Sequence, residues 1–360
     1  MHRSFVRPAI VVAALLFAWD LPPVRAGIKA AVVVSCALGR PWPRPFRRAV
    51  RRHETTIGDA PGDLYLPRQP APGIVLVHGA ATEGKDDPRL VRLVRAIAEA
   101  HRAVFVPDLR LKARTLDEQD LDLIVSAVAA LRNHPQVSGG VQLLGISYGG
   151  SFALIAAGDE RIAAGIRQVA TFGAYFDLVG YIQAVTTGTA IVDDQRLTWE
   201  PHPRAREVLS QVALWMVPAA DRPAFGAAID GELQPEQLPP ETQALYRFVT
   251  NDKPDEAHEL ARRLPERAQR VLEEFSPSTA AKRIKAPVIA LHSRDDPAVP
   301  YAEALRLQRA LPGARLVGVE LFTHVDLRGG ALAAIPDLLR VWRFTSWMLS
   351  AQERGAARGS

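Results

Sequence analysis

From about residue 53 onward, short apolar runs alternate with stretches in which apolar side chains recur every three or four positions. Gly73 to Val77, Val104 to Val106 and Val141 to Ile146 read as strands buried on both faces. Between them, Leu90, Leu93, Val94 and Ile97 share one face of a helix that Asp87 caps and Pro88 opens. A second helix is expected from Thr115, with Glu118 completing a capping box and Leu121, Ile124, Val125, Val128 and Leu131 facing inward. Further strands are predicted near 166–172, 287–291 and 315–321, and a last helix over about 335–350. Alternation of this kind predicts an α/β fold, a mostly parallel central sheet with helices on both faces.

The pattern changes between residues 176 and 275. No strand-like run recurs there, and Pro239-Pro240, Pro254 and Pro265 punctuate short helical stretches over 241–250, 255–264 and 266–275. A structureless loop of that length is rare in a compact domain, so 176–275 is expected to form an inserted helical cap. The division that follows is an N-terminal arm over 1–52, an α/β core over 53–175 and 276–351, the cap, and a flexible tail over 352–360.

With 48% hydrophobic and 23% charged residues in 360, the chain has ordinary globular composition, which excludes collagen, disorder and coiled coil. Its formal charge of +5 is unevenly placed. Residues 1–52 hold ten Lys and Arg against one acid, Asp20, leaving 34 basic and 38 acidic residues in the remainder. A nucleic-acid groove on the main body is therefore disfavoured. Within the arm, Arg3 and Arg7 precede an apolar run from Pro8 to Trp19, and Val24-Arg25-Ala26 has the small residues of a signal-peptidase site. Neither this run nor Ala30–Leu38 is long enough to span a bilayer. Val33-Val34-Ser35-Cys36 has the form of a lipoprotein processing box, and the basic, proline-broken stretch 40–52 suits an anchor flank near anionic lipid. The expectation is an exported or membrane-associated protein tethered through residues 1–52, with a cytoplasmic one as the alternative.

The most informative segment is Gly145-Ile146-Ser147-Tyr148-Gly149, which follows a strand and precedes the helical run Ser151–Ala157. That strand-turn-helix setting is what a G-x-S-x-G nucleophile elbow requires, with Gly145 and Gly149 permitting the close passage of the chain. A serine hydroxyl needs a base and a group to orient that base. Of nine histidines, His2 lies in the arm, His53 precedes the sheet, His101 and His134 end helices at the opposite edge, His202 and His258 belong to the cap, and His78 and His292 end strands. His324, after the last strand and before the last helix, is the candidate base. Asp296 follows the strand preceding it, with Asp295 and Asp177 as competing acids. Backbone N–H groups of Tyr148 and of Ala80 are the candidate oxyanion donors, with Gly79 permitting close approach and His78 in structural support. A single cysteine, no G-x-G-x-x-G after a strand and no paired histidine spacing give no reason to expect a metal or nucleotide cofactor.

Over about residues 53–350 the chain resembles the α/β-hydrolase family, specifically serine hydrolases similar to dienelactone hydrolase, carboxylesterases and acyl-peptidases. The resemblance rests on Val75 to Ala80, Pro107 to Arg110, Gly145 to Gly150, Ser276-Pro277, Ile284 to His292, Asp296 to Pro300 and the segment around His324. It implies an α/β-hydrolase fold and maps the family's aspartate, the one just ahead of a Val-Pro pair, onto Asp296. It also implies a serine hydrolase of small-molecule carboxylic esters, with a peptidase, amidase or thioesterase using the same triad as alternatives. A catalytically idle, membrane-tethered binding scaffold is the alternative of another class. Three departures stand out: Ser293 where the family commonly has glycine, Leu111 to Arg114 in place of a glycine-rich turn, and a larger cap. The cap aromatics Tyr175, Phe176, Tyr181, Trp199, Trp215, Phe225, Tyr246 and Phe248 either line an acyl pocket or pack the cap.

Overall fold

The computed structural model describes residues 22–40, 49–320, 322–323, 326–327 and 335–350. The chain opens with helix α1 (Pro22–Ala37) and an antiparallel pair, β1 (Val50–Ile57) and β2 (Ala60–Pro67). There follow β3 (Ala71–Val77), α2 (Pro88–Glu99), β4 (Ala103–Pro107), α3 (Glu118–Leu131), β5 (Val137–Ile146), α4 (Tyr148–Ala157) and β6 (Ile166–Phe172). The inserted stretch holds α5 (Leu178–Thr187), a hairpin of β7 (Thr189–Val192) and β8 (Gln195–Thr198), then α6 (Pro203–Met216) and α7 (Arg222–Ile229). It continues through α8 (Pro240–Val249), α9 (Ala257–Arg262) and α10 (Glu266–Glu274). The short α11 (Pro277–Ala280) leads to β9 (Val288–Ser293), α12 (Tyr301–Ala310), β10 (Arg315–Val319) and α13 (Ile335–Ser350).

Eight strands form one sheet in the order β1-β2-β4-β3-β5-β6-β9-β10, parallel from β4 to β10 and antiparallel at the β1-β2 edge. Successive side chains on a strand point to opposite faces. Val75, Val77, Leu143 and Val169 accordingly pack with α3, α4 and the inserted helices, while Ile74, Leu76, Leu144 and Leu291 pack with α1, α2 and α13. Both faces are covered, which is why the central strands read as unbroken apolar runs.

Several expectations need correcting. The β1-β2 hairpin was not anticipated, because β1 is an almost wholly exposed edge strand whose charged and polar residues mask the apolar signal. His53 lies within β1 rather than ahead of the sheet. Helix α3 starts at Glu118 with Asp117 as its cap, accepting from Gln119 N–H at 3.0 Å, whereas Thr115 donates to the Arg110 carbonyl. The hairpin β7-β8 interrupts the stretch in which no strand was expected, turning on Asp193 and Asp194, both with positive φ.

The expected division at residue 52 falls inside β1, and α1 sits in the layer of helices on the sheet. Ala26 and Ala30 are fully buried, with Val32, Val33 and Cys36 nearly so. Contact with α13 is close: a Cβ on Gly27 would lie 2.9 Å from the Trp342 ring, and Trp342 Nε1–H donates to the Gly27 carbonyl at 2.7 Å. Among the described residues no helix is long and apolar enough to cross a membrane.

Candidate active site

The junction of β5 and α4 carries the most unusual backbone in the sheet. Ser147 has φ 54° and ψ −130°, a conformation that costs a non-glycine residue about 1–3 kcal/mol and persists only where the surroundings impose it. Its N–H donates to the Phe172 carbonyl of β6 at 2.7 Å, and its carbonyl accepts from Gly150 N–H at 2.8 Å. The flanking glycines make this passage possible. A Cβ on Gly145 would overlap the Gly149 carbonyl, and one on Gly149 would overlap the carbonyls of Val77, the last residue of β3, and of His78 just after it. Ser147 is thereby raised at the carboxyl edge of the sheet, directly ahead of the first turn of α4, whose N–H groups have no intrahelical acceptors.

The loop after β3 runs against this elbow. A Cβ on Gly79 would lie 3.3 Å from Ser147 Cβ, so the chain passes close enough for Ala80 to line the same cleft as Ser147 and Tyr148. His78 fixes the loop from below. Nearly unexposed, it donates from Nδ1 to the Gly79 carbonyl at 2.8 Å and accepts at Nε2 from Leu109 N–H at 3.4 Å. Burial holds its imidazole below the ordinary histidine range, in keeping with a neutral ring joining two loops.

The three candidate acids sit in different environments. Asp296 is buried, and its Oδ1 accepts from Ala298 N–H at 2.8 Å and Val299 N–H at 3.1 Å. Its Oδ2 lies 3.8 Å from Nε2 of His292, which hydrogen-bonds the Val299 carbonyl at 2.9 Å. Asp295 beside it is exposed. Asp177 caps α5, accepting from Gly180 N–H at 2.7 Å and from the Ser278 hydroxyl at 3.1 Å. The Asp296 turn is gripped from the insertion by Trp199, whose Nε1–H donates to the Asp296 carbonyl, and by the Tyr181 hydroxyl donating to Ala298. Through Pro297, Ala298 and Val299 it reaches the cleft that Ser147 lines. His324 lies outside the described residues.

The departures from the family pattern have local explanations. Ser293 is fully buried, with its hydroxyl donating to the Val319 carbonyl at 3.3 Å. Leu111 to Arg114 continue a short helical turn anchored by Asp120, a fully buried carboxylate that accepts from Arg110 N–H at 2.9 Å and Leu111 N–H at 2.7 Å. Burial pushes the Asp120 carboxyl up to about 6. Arg114, in the left-handed region at φ 59°, borders the cleft and pairs with Glu207 of α6, tying this loop to the insertion. Sequence reading missed Asp120, and it named Trp199 and the Leu111 to Arg114 loop without their contacts to Asp296 and Glu207, since each works through a tertiary contact that no local spacing announces.

Of the insertion aromatics, Tyr181 borders the cleft, and Tyr175, Phe176, Phe225 and Phe248 are buried in the common core. Tyr175 and Tyr181 stack with centroids 5.5 Å apart, and Tyr148 meets each edge-on at 5.1 and 5.8 Å. Burial raises the pKa of all three phenols, so they remain neutral props under the elbow. Among the described residues no His, Cys, Asp or Glu cluster could hold a metal ion.

A family model described as the alpha/beta hydrolase family matches residues 74–330. No curated protein matches the sequence. Among solved structures, a candidate hydrolase from Legionella pneumophila superimposes with a TM-score of 0.55 at 16% identity, over 89% of this chain and 94% of that one. A Mycobacterium tuberculosis puromycin-hydrolyzing peptidase gives 0.51 at 16%, over 86% and 39%. Pyrococcus horikoshii acylaminoacyl peptidase gives 0.46 at 16%, over 84% and 41%. The chain thus spans about two fifths of the length of the acylaminoacyl peptidases it matches. At these identities the likeness is one of fold.

Proposed function

The chain belongs to the alpha/beta hydrolase family, and on that premise we propose that it is a serine hydrolase cleaving carboxylic esters of small molecules through an acyl-enzyme. Membership supports hydrolase activity. The ester and the residue roles are our reading. Ser147 Oγ attacks the acyl carbon while the His324 imidazole takes its proton. Asp296 holds the imidazole in the tautomer that presents a free nitrogen to Ser147 and stabilises the imidazolium once the proton has moved. Negative charge that develops on the carbonyl oxygen is met by the N–H groups of Tyr148 and Ala80, with the first turn of α4 adding its dipole. The proton passes from His324 to the leaving alcohol, water replaces the alcohol, and the same steps in reverse release the acid.

The observation that carries this reading is the strained backbone of Ser147 at a strand-to-helix turn, packed against the β3 loop on one side and anchored to β6 on the other. Strain of this size is retained where it raises a reacting group into position. The test is labelling of the full chain with a fluorophosphonate, peptide mapping of the modified residue, and hydrolysis of p-nitrophenyl esters. Modification at Ser147, with turnover lost in Ser147→Ala, is the expected result. A folded protein that is labelled elsewhere, or that retains turnover in Ser147→Ala, would remove the proposal.

A further inference from the structure

We infer that the cavity behind Ser147 is an acyl-chain pocket walled on one side by α1, so that the preferred substrate carries a long hydrocarbon acyl group. The inference rests on the serine hydrolase reading and adds to it the substrate class. Ser147, Tyr148 and Ala80 open into a cavity of about 1070 Å³, at the upper end of the range for pockets that hold whole organic ligands. At the mouth the insertion contributes Tyr181, His202, Ala205 and Val208, and from there the cavity continues over the sheet face that α1, α2 and α13 cover.

Charged side chains, among them Glu83, Arg92, Arg114 and Arg204, lie along the lining, while the walls toward α1 and α13 are apolar and come from separate parts of the chain. Val33, Val34 and Leu38 belong to α1 and the turn after it, and Val341, Phe344 and Met348 to α13. Ile146 and Phe172, at the ends of β5 and β6, form the floor next to Ser147. On α13 the lining positions recur over Leu338, Val341, Thr345 and Met348, ten residues apart from first to last, which at the helical rise is about 15 Å. The one polar side chain in that row is already satisfied, because the Thr345 hydroxyl donates to the Val341 carbonyl at 2.9 Å. A long arm with apolar walls on α1 and α13 and a nucleophile at its mouth suits an extended hydrocarbon and offers a short acyl group little contact. The α1 wall is fixed in place by the Gly27-Trp342 contact and by Ala26 and Ala30, whose small side chains let the helix lie close to its neighbours.

The test separates binding from catalysis. Dansyl-undecanoate is titrated into the full-length protein and displaced with acetate and with saturated fatty acids of increasing length. Binding of the probe is expected, with displacement strengthening about fourfold per methylene, the transfer free energy of a buried CH₂ expressed as a ratio, until the cavity is filled. Val34→Trp and Val341→Trp, which narrow the space from opposite walls, are expected to weaken probe binding at least tenfold. Leu38→Ser does so without adding volume, so a loss does not hinge on a bulky residue that could disturb the fold. Leu339→Ala, on the exposed face of α13, leaves binding unchanged, and thermal midpoints confirm that each variant is folded. Failure of wild type to bind the probe, or equal binding by all three pocket variants, would overturn the pocket. Intact binding without ester hydrolysis would instead remove the serine hydrolase reading and leave the pocket standing as a fatty-acyl site.

Discussion

Replacing Gly149 by alanine asks whether the elbow depends on the backbone contact between α4 and β3. The added methyl would meet the Val77 and His78 carbonyls, well inside contact distance. Neither carbonyl yields easily, because Val77 ends β3 in register with Gly145 of β5, and His78 follows it with its ring held by the Gly79 carbonyl and Leu109 N–H. Relief must therefore come from α4, which moves as a unit with Ser147 at its start. Gly150 provides the control one position along. There the nearest atom to a new Cβ is the methyl of Ala174 at 2.8 Å, in a segment outside the strands. Overpacking of this kind costs about 1–3 kcal/mol, and Gly149→Ala belongs at the upper end while Gly150→Ala belongs at the lower. A displacement of the nucleophile by about 1 Å lowers turnover on the order of a hundredfold. The assay is paired: urea midpoints for stability, and p-nitrophenyl butyrate hydrolysis for kcat/KM. Gly149→Ala is expected to lose both, and Gly150→Ala mainly some stability. Wild-type turnover in Gly149→Ala, or a larger loss in Gly150→Ala, would refute the claim that β3 sets the height of Ser147.

Other consequences follow from the same geometry. Asp296→Asn keeps an oxygen to accept from Ala298 and Val299 but places an amide where Oδ2 stood, so the protein stays folded while kcat falls roughly 10⁴-fold; Asp295→Asn, at an exposed position, changes kcat less than about twofold, and equal losses would overturn the acid assignment. Asp120 has a folded-state pKa of about 6, above the ordinary value of 3.8, so the native state holds its proton more tightly than the unfolded chain. The stability this contributes is complete below about pH 4 and is lost as pH rises through 6, on the order of 3 kcal/mol from this group; Asp120→Asn should flatten that part of the denaturation profile against pH, and an unchanged slope would refute the attribution. Trp342→Ala removes an indole that is 38% exposed but covers Gly27, together with its hydrogen bond, with an expected loss of about 1–2 kcal/mol and earlier proteolysis within residues 22–40; a midpoint equal to wild type would show that this contact adds nothing to the fold.

The alternation of apolar runs and helical faces was enough to place the central strands and most core helices, because strands buried on both faces announce themselves as continuous Val, Ile and Leu. β1 escaped for the opposite reason: its inward residues at the two ends are separated by Arg51 to Thr55, and an exposed edge strand has no apolar face to show. In the site, Ser147 was legible because its conformation demands small neighbours at fixed offsets in the chain. Spacing alone left Asp295 and Asp296 open, as the two are chemically identical; the resemblance chose Asp296 by the Val-Pro pair that follows it, and Asp296 is the one the fold turns inward. Asp120 was illegible for a related reason, as its partners Arg110 and Leu111 belong to a loop whose course the carboxylate itself determines.

Helix α1 shows how one composition answers two physical demands. The leader form was read from Arg3 and Arg7 through Pro8 to Trp19 and on to Val24-Arg25-Ala26, with a lipoprotein box at Val33 to Cys36, and α1 overlaps the cleavage site and the box because both call for small apolar residues. A helix that lies on a sheet between two other helices needs the same residues. Small side chains at Ala26, Gly27 and Ala30 let it approach α13, and Val32, Val33 and Cys36 supply the apolar face turned to the core. Periodicity does not separate the two, since a nearly all-apolar helix has no polar face to reveal which side is buried. Trp342 on α13 places its ring over Gly27 and its N–H on the Gly27 carbonyl, and that pairing links residues more than 300 positions apart. That contact seats α1 against α13, beside the sheet face on which Val32, Val33 and Cys36 are buried.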